Sequence, residues 1–194
     1  MTTFLSQLHP SNTAQRIVVR VARVASRLST FGAILAAGVF VFMTLLTLTE
    51  VILRSTAGRS TLIASEYSGY ALSAMIYLSL GFTFKENAHI RITFLESALP
   101  KLAKRVLEAL LLAFATFVMG IATVAVWQMV LTTRSRGTVA YTPAETPLYI
   151  PQAVMLVGLL LFLLQLAAHL AVRLSFADVP NDSASDITSE KAPE

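Results

Sequence analysis

The chain has 194 residues, of which 55% are hydrophobic and 13% charged, with a mean hydropathy of +0.68 and a formal net charge of +4. So few polar residues cannot cover a soluble globule of this length, and the apolar spans and short loops leave no room for a separate soluble domain. The absence of cysteine excludes disulfides, thiolate metal centres and cysteine nucleophiles, no phosphate loop, His-Glu metal motif or nucleophile elbow occurs, and the basic balance is read through where the charges lie, not as a nucleic-acid signal.

The first segment, residues 1–28, is basic. Arg16, Arg20, Arg23 and Arg27 follow spacings of four, three and four, which aligns them along one helical stripe, with Ile17, Val21, Val24 and Leu28 on other faces. This predicts a cytoplasmic amphipathic helix lying on the inner leaflet. Each arginine near anionic phospholipid contributes about 1 kcal/mol, and the long stems snorkel.

Four apolar stretches follow, Phe31–Thr49, Tyr67–Phe84, Ala109–Thr133 and Thr146–Ala168, and none contains Asp, Glu, Lys, Arg or His. Each has roughly the 18–25 residues that a helix needs to cross a hydrocarbon core of about 30 Å. They predict an all-α integral membrane protein with spans at 30–53, 66–84, 106–132 and 147–172, inside a four-helix membrane domain at 29–174. The first stretch is too long for a signal-peptide core and lacks a cleavage site, so it reads as a retained anchor.

At the end of span one, Glu50 and Arg54 share a helix face, and Glu66 opens span two after a connection containing Gly58, so all three are expected to meet at one membrane boundary. Between spans two and three, KENAHIRITFLESALPKLAKR begins at Lys85; it is too apolar for a free loop and too short for a span. An interfacial helix fits, broken by Pro100. From Ser175 the sequence carries five acids, one lysine and few apolar residues, so 175–194 reads as a disordered acidic tail.

Arg16, Arg20, Arg23, Arg27, Lys85, Arg91, Lys101, Lys104, Arg105, Arg173 and Lys191 fall on one side of these spans, and Arg54, Arg59, Arg134 and Arg136 on the other. The positive-inside rule then places both termini and the middle loop in the cytoplasm, with Tyr67, Tyr70, Trp127, Tyr141 and Tyr149 near the outer boundary. Gly32, Gly69, Gly81 and Gly120 permit close helix approach, either within the bundle or to a partner subunit, and Gln128 and Gln165 are placed to hydrogen-bond across helices.

The order Arg54, Glu66, Leu80-Gly81, His89-Ile90-Arg91-Ile92 and Leu99-Pro100 with a basic pair resembles the small membrane subunit of tripartite ATP-independent periplasmic (TRAP) transporters, the DctQ-like family. Pro147 and Pro151, in Thr146-Pro147-Leu148 and Ile150-Pro151, are similar to the start of the family's fourth span. The likeness covers roughly Leu28 to Leu174. Ser55 stands where the family often has an aromatic, Ser65-Glu66-Tyr67 where it often has Trp and paired acids, and Thr93 where an acid is common.

The resemblance implies a non-enzymatic subunit of the bacterial inner membrane that scaffolds a large multi-span, sodium-coupled partner. A periplasmic substrate-binding protein would deliver an organic acid to that partner. No cofactor is implied for this chain, sodium belonging to the large subunit. Span centres free of ionisable groups fit that division of labour, because proton- or ion-moving chains usually keep such groups near the midplane. Two alternatives have residue-level markers. A self-contained proton-coupled exporter would need a membrane-embedded carboxylate from Glu50, Glu66 or Glu108, and a haem-carrying anchor would need His89 and His169 as axial ligands.

Overall fold

The computed structural model describes residues 13–86 and 101–175. The expected interfacial helix between spans two and three, with His89, Arg91 and Pro100, and the segment after Ser175 lie outside the described residues. Four helices make up the described chain: α1 (Thr13–Ala57), α2 (Ala64–Lys85), α3 (Lys101–Arg136) and α4 (Tyr149–Ser175). Among them α1, α3 and α4 are long and apolar enough to cross a membrane. At 22 residues α2 is long enough as well, about 33 Å, but its serines, threonine and tyrosines hold its hydropathy below that of the others.

The basic segment and span one are not two elements. No proline or glycine interrupts the run from Thr13 to Phe31, so helix propagates straight through, and the 45 residues of α1 extend about 67 Å. A helix of that length exceeds a hydrocarbon core twofold, and its basic half continues the axis of the apolar half. Tertiary packing fixes this continuity: Ala22 and Ala25 are buried against Ala168 and Val172 of α4, and Gln15 Nε2 donates to the Ser175 carbonyl at 3.1 Å. Packing on a neighbouring helix thus replaces the expected separation of this segment on a surface.

The helix ends have local causes. Gly58 and Gly137 both adopt φ of +61°, the left-handed conformation that terminates α1 and α3 at little steric cost. After Gly137, Thr138 N–H returns to the Thr133 carbonyl at 3.3 Å, satisfying one of the last orphan acceptors of α3. Residues 146–148, expected inside span four, instead belong to a short hairpin. Val139 pairs with Pro147, Ala140 N–H donates to the Thr146 carbonyl at 3.0 Å and Leu148 N–H to the Thr138 carbonyl at 3.1 Å. Pro151 sits in the first turn of α4, where a missing N–H costs nothing.

The expected four-helix bundle is a three-helix core with an outrigger. Helices α1, α2 and α4 pack on one another, whereas the substantial contacts of α3 are with α4 alone. Small residues bring the core axes together. A Cβ at Gly158 would lie 2.5 Å from the Tyr77 carbonyl carbon, one at Gly32 would lie 2.8 Å from the Leu78 oxygen, and one at Gly81 would lie 2.8 Å from Ser29 Oγ. Outside, the surface is apolar: Phe31, Ile34, Phe40, Phe42 and Leu45 of α1 and Leu110, Phe114, Phe117, Ile121 and Val124 of α3 are exposed. An apolar exterior around close-packed small residues is how helices associate in lipid, where no hydrophobic drive exists between them.

Candidate functional site

Two polar layers lie at opposite ends of the core. The first gathers the C-terminus of α1, the N-terminus of α2 and the α3–α4 hairpin. Glu50 lies on the last turns of α1 and is only 9% exposed. Its carboxylate accepts from Arg54 Nη2 at 3.0 Å, from Thr61 N–H at 2.9 Å, and from the Ser60 and Thr61 hydroxyls. Arg54 Nη2 also donates to Ser60 Oγ at 3.2 Å. Glu50 is thus a clamp that folds the connection 58–63 back over its own helix, with Leu62 held at a left-handed φ of 59° and its N–H donating to Ser60 Oγ. An open groove of about 440 Å³ lies beside it, lined by Thr47, Glu50, Arg54, Ser65 and Ser68 among others.

Glu66 does not join this cluster. Standing in the first turn of α2, it accepts from the Tyr70 hydroxyl at 2.5 Å and from the Thr142 hydroxyl of the hairpin. Tyr67 shares a hydrogen bond with Thr146 Oγ1 at 3.0 Å, and the rings of Tyr67 and Tyr70 meet edge to face with centroids 6.0 Å apart. Glu66 and Tyr67 therefore tie the hairpin to α2 while Glu50 ties the first connection to α1. The expected meeting of Glu50, Arg54 and Glu66 resolves into two neighbouring but separate nodes. Their hydroxyl partners, Ser60, Thr61, Thr142 and Thr146, carried no sequence signal beyond being loop residues with short polar side chains.

The second layer lies at the opposite end. Ser29 Oγ donates to Gln165 Oε1 at 3.2 Å, with both residues fully buried. One turn away Lys85, 6% exposed, donates from Nζ to Thr30 Oγ1 at 2.9 Å, pairs with Glu86 at 3.4 Å and lies 5.2 Å from the Phe82 ring centroid. Phe84 packs edgewise on Phe162 and on His169, with centroids 6.0 and 5.4 Å apart. Outside them Arg173 of α4 pairs with Glu108 of α3 at 2.8 Å, fixing the base of the outrigger.

The glycines and glutamines singled out in sequence divide accordingly. Gly32 and Gly81 are contact points inside the core, and Gln165 bonds across helices within it. Gly69 and Gly120 would meet nothing within 4 Å on gaining a Cβ, and Gln128 is exposed on α3. Gly158 makes the closest backbone approach of all yet was not singled out, since a lone glycine in an apolar run has many readings.

Among the described residues no Asp, Glu, Lys, Arg or His lies between Arg27 and Glu50, between Glu66 and Lys85, or between Glu108 and Arg134. An apolar exterior, helix centres clear of acidic and basic side chains, and hydrogen-bonded polar ends are the features of a helical membrane protein. The family model for the DctQ component of tripartite ATP-independent periplasmic transporters matches residues 43–176. The match covers most of the chain, and the chain belongs to this family, the small membrane subunit of TRAP transporters. It begins at residue 43, later than the resemblance read from Leu28, so the arginine stripe and the first turns of span one lie outside it. No curated protein and no solved structure matches the chain. DctQ components work beside a large membrane subunit and a periplasmic binding protein; they are transporter parts, not enzymes.

Proposed function

We propose that this chain is the fixed frame on which the large, sodium-coupled subunit of a TRAP transporter is held in the bacterial inner membrane, during uptake of an organic acid delivered by a periplasmic binding protein. Membership of the family carries the reading, and the distribution of polar groups supports it. A subunit that itself moved ions would keep ionisable groups in its helix centres. In this chain the apolar stretches between Arg27 and Glu50, Glu66 and Lys85, and Glu108 and Arg134 hold no acidic, basic or histidine side chain, and three carboxylates outside them each hold neighbouring chain in place. Glu50 holds a connection, Glu66 holds the hairpin and Glu108 pairs with Arg173.

All four helices cross the membrane in this reading, with both termini in the cytoplasm as the arginine distribution favours. For α2 the supporting observation is that four of its hydroxyls are satisfied by the helix's own backbone. Ser68, Ser73, Ser79 and Thr83 each donate to a carbonyl three or four residues back at 3.0 Å, which lowers the cost of placing them in hydrocarbon. Helices α1 and α4 flank α2 and cover much of it.

The frame has a rigid and a reaching part. Glycine contacts and the Ser29–Gln165 bond lock α1, α2 and α4, while α3 stands off on α4 and offers Phe114, Phe117, Ile121 and Val124, with Gly120 among them, to lipid or to the large subunit. The test is reconstitution. Vesicles holding this chain with its large subunit and binding protein should take up the organic acid on a sodium gradient, and vesicles lacking this chain should not. Sodium-driven uptake by this chain alone would refute the reading.

A further inference from the structure

The groove beside Glu50 has no part in the frame just described. It lies between the last turns of α1 and the first turns of α2 and holds about 440 Å³, within the range of about 300–1,000 Å³ typical of small-ligand sites. Its lining changes character along its length. Thr47 and Arg54, two helical turns apart on α1, stand about 10 Å from each other along the axis.

Arg54 marks the polar end. Its side chain is 67% exposed, and its Nη2 donates to Glu50 and to Ser60. Nη1 and Nε have no acceptor among the described residues, and neither has the Ser65 hydroxyl on the opposite wall. Glu50, by contrast, is fully engaged: Oε1 accepts from Arg54 and Ser60, and Oε2 accepts from the N–H and the hydroxyl of Thr61. A carboxylate has about four lone-pair sites, so none is left here for a cation or an ammonium group. The unfilled capacity at this end is that of a donor.

The other end presents carbon. Thr47 and Ser68 turn their hydroxyls onto their own helices, donating to the Met43 carbonyl at 2.9 Å and the Ser65 carbonyl at 3.0 Å. Val51 lies between them and Arg54 on the same wall of α1. The apolar stretch Phe31–Thr49 ends beside this groove, and Val51 and the adjoining Leu48 and Ile52 are more than half exposed. A ligand that satisfies both ends is an amphiphile whose head is anionic and carries no ammonium.

We propose that the groove between α1 and α2 is a binding site for an anionic phospholipid. The unengaged N–H groups of Arg54 and the Ser65 hydroxyl donate to the phosphate, and the first methylenes of an acyl chain lie along Thr47, Val51 and Ser68. Hydrogen bonds from a guanidinium to a phosphate are charge-assisted and roughly twice as strong as neutral ones, and the Glu50 and Ser60 contacts hold Arg54 in place before the lipid arrives. The site is complete within this chain and does not depend on its place beside a large subunit.

Photolabelling tests the site. The full chain is reconstituted in phosphatidylcholine vesicles containing a trace of phosphatidylglycerol that carries a diazirine near the top of one acyl chain, irradiated, digested and mapped by mass spectrometry. Label should appear between residues 47 and 54 or between 64 and 68, and unlabelled phosphatidylglycerol should compete for it while phosphatidylcholine does not. Arg54→Gln should lower that label roughly tenfold, the loss expected for a charge-assisted hydrogen bond. Arg59→Gln, which alters an arginine of the same connection outside the groove, should leave it unchanged. Thr47→Leu, which fills the carbon end and leaves the Arg54–Glu50 pair intact, should also lower it, so a folding defect in the Arg54 variant does not decide the outcome. Label that is equal in wild type and Arg54→Gln, that phosphatidylcholine displaces as well, or that falls as far in Arg59→Gln overturns the proposal. So does loss of the label when the large subunit is reconstituted with the chain, since the groove would then belong to a protein contact.

Discussion

Ser29 and Gln165, 136 residues apart in sequence, meet at 3.2 Å with neither side chain accessible, and this bond joins α1 to α4 inside the core. Gly81 makes room for it, since a Cβ there would press on Ser29 Oγ at 2.8 Å. Gln165→Leu removes the acceptor and should lower stability by about 1 kcal/mol, within the range found for interhelical hydrogen bonds in membranes. Ser29→Ala should cost a similar amount, and the double variant less than the two losses added. Unfolding of the solubilised protein by a denaturing detergent, followed by circular dichroism, measures all three.

Backbone contact at Gly158 sets a harder limit. A methyl group there meets the carbonyl carbon of Tyr77 at 2.5 Å, and backbone cannot rotate away as a side chain can. Gly158→Ala should force α2 and α4 apart and cost about 2 kcal/mol or more, whereas Gly69→Ala and Gly120→Ala, which meet nothing, should leave the isolated chain as stable as before or slightly more so. Thermal melting monitored by size-exclusion profile separates the two classes.

Glu50→Ala should release the connection between α1 and α2. Four donors from Arg54, Ser60 and Thr61 lose their acceptor, a loss of about 1–3 kcal/mol for a charge-assisted network. Hydrogen exchange at Thr61 and Leu62 is expected to rise while that in the centre of α4 stays unchanged. Glu50→Gln should give a smaller effect, because the amide oxygen still accepts from one side of the clamp.

Tyr67→Phe removes the hydroxyl shared with Thr146 and leaves the ring in its edge contact with Tyr70. The expected cost is about 1 kcal/mol, confined to the hairpin. Glu66→Ala, which strips acceptors from both Thr142 and Tyr70, should loosen it further. A spin label at Tyr141, fully exposed at the tip, should gain mobility in that order, with no change for a label on α3.

A helical membrane protein, the course of its apolar stretches and its family are all legible from the order of residues, because hydrocarbon thickness, hydropathy and motif order are written linearly along the chain. The same linear reading pairs Glu50 with Arg54, four residues apart on one helix, and names Gln165 as an interhelical bond former. Which partners these groups find is a matter of packing. Glu66 turns to the hairpin because Thr142, in the α3–α4 connection, comes within reach of its carboxylate, a contact between residues far apart in sequence. Gln165 finds Ser29 inside the core while Gln128 stays exposed, since α4 packs against all three other described helices and α3 substantially against α4 only. The basic segment became part of α1 because its alanine face found Ala168 and Val172, and α3 stands as an outrigger because, among the described residues, its substantial packing is on α4. Helix periodicity gives each residue a face, but which neighbour that face meets is settled by long-range packing that no local spacing encodes.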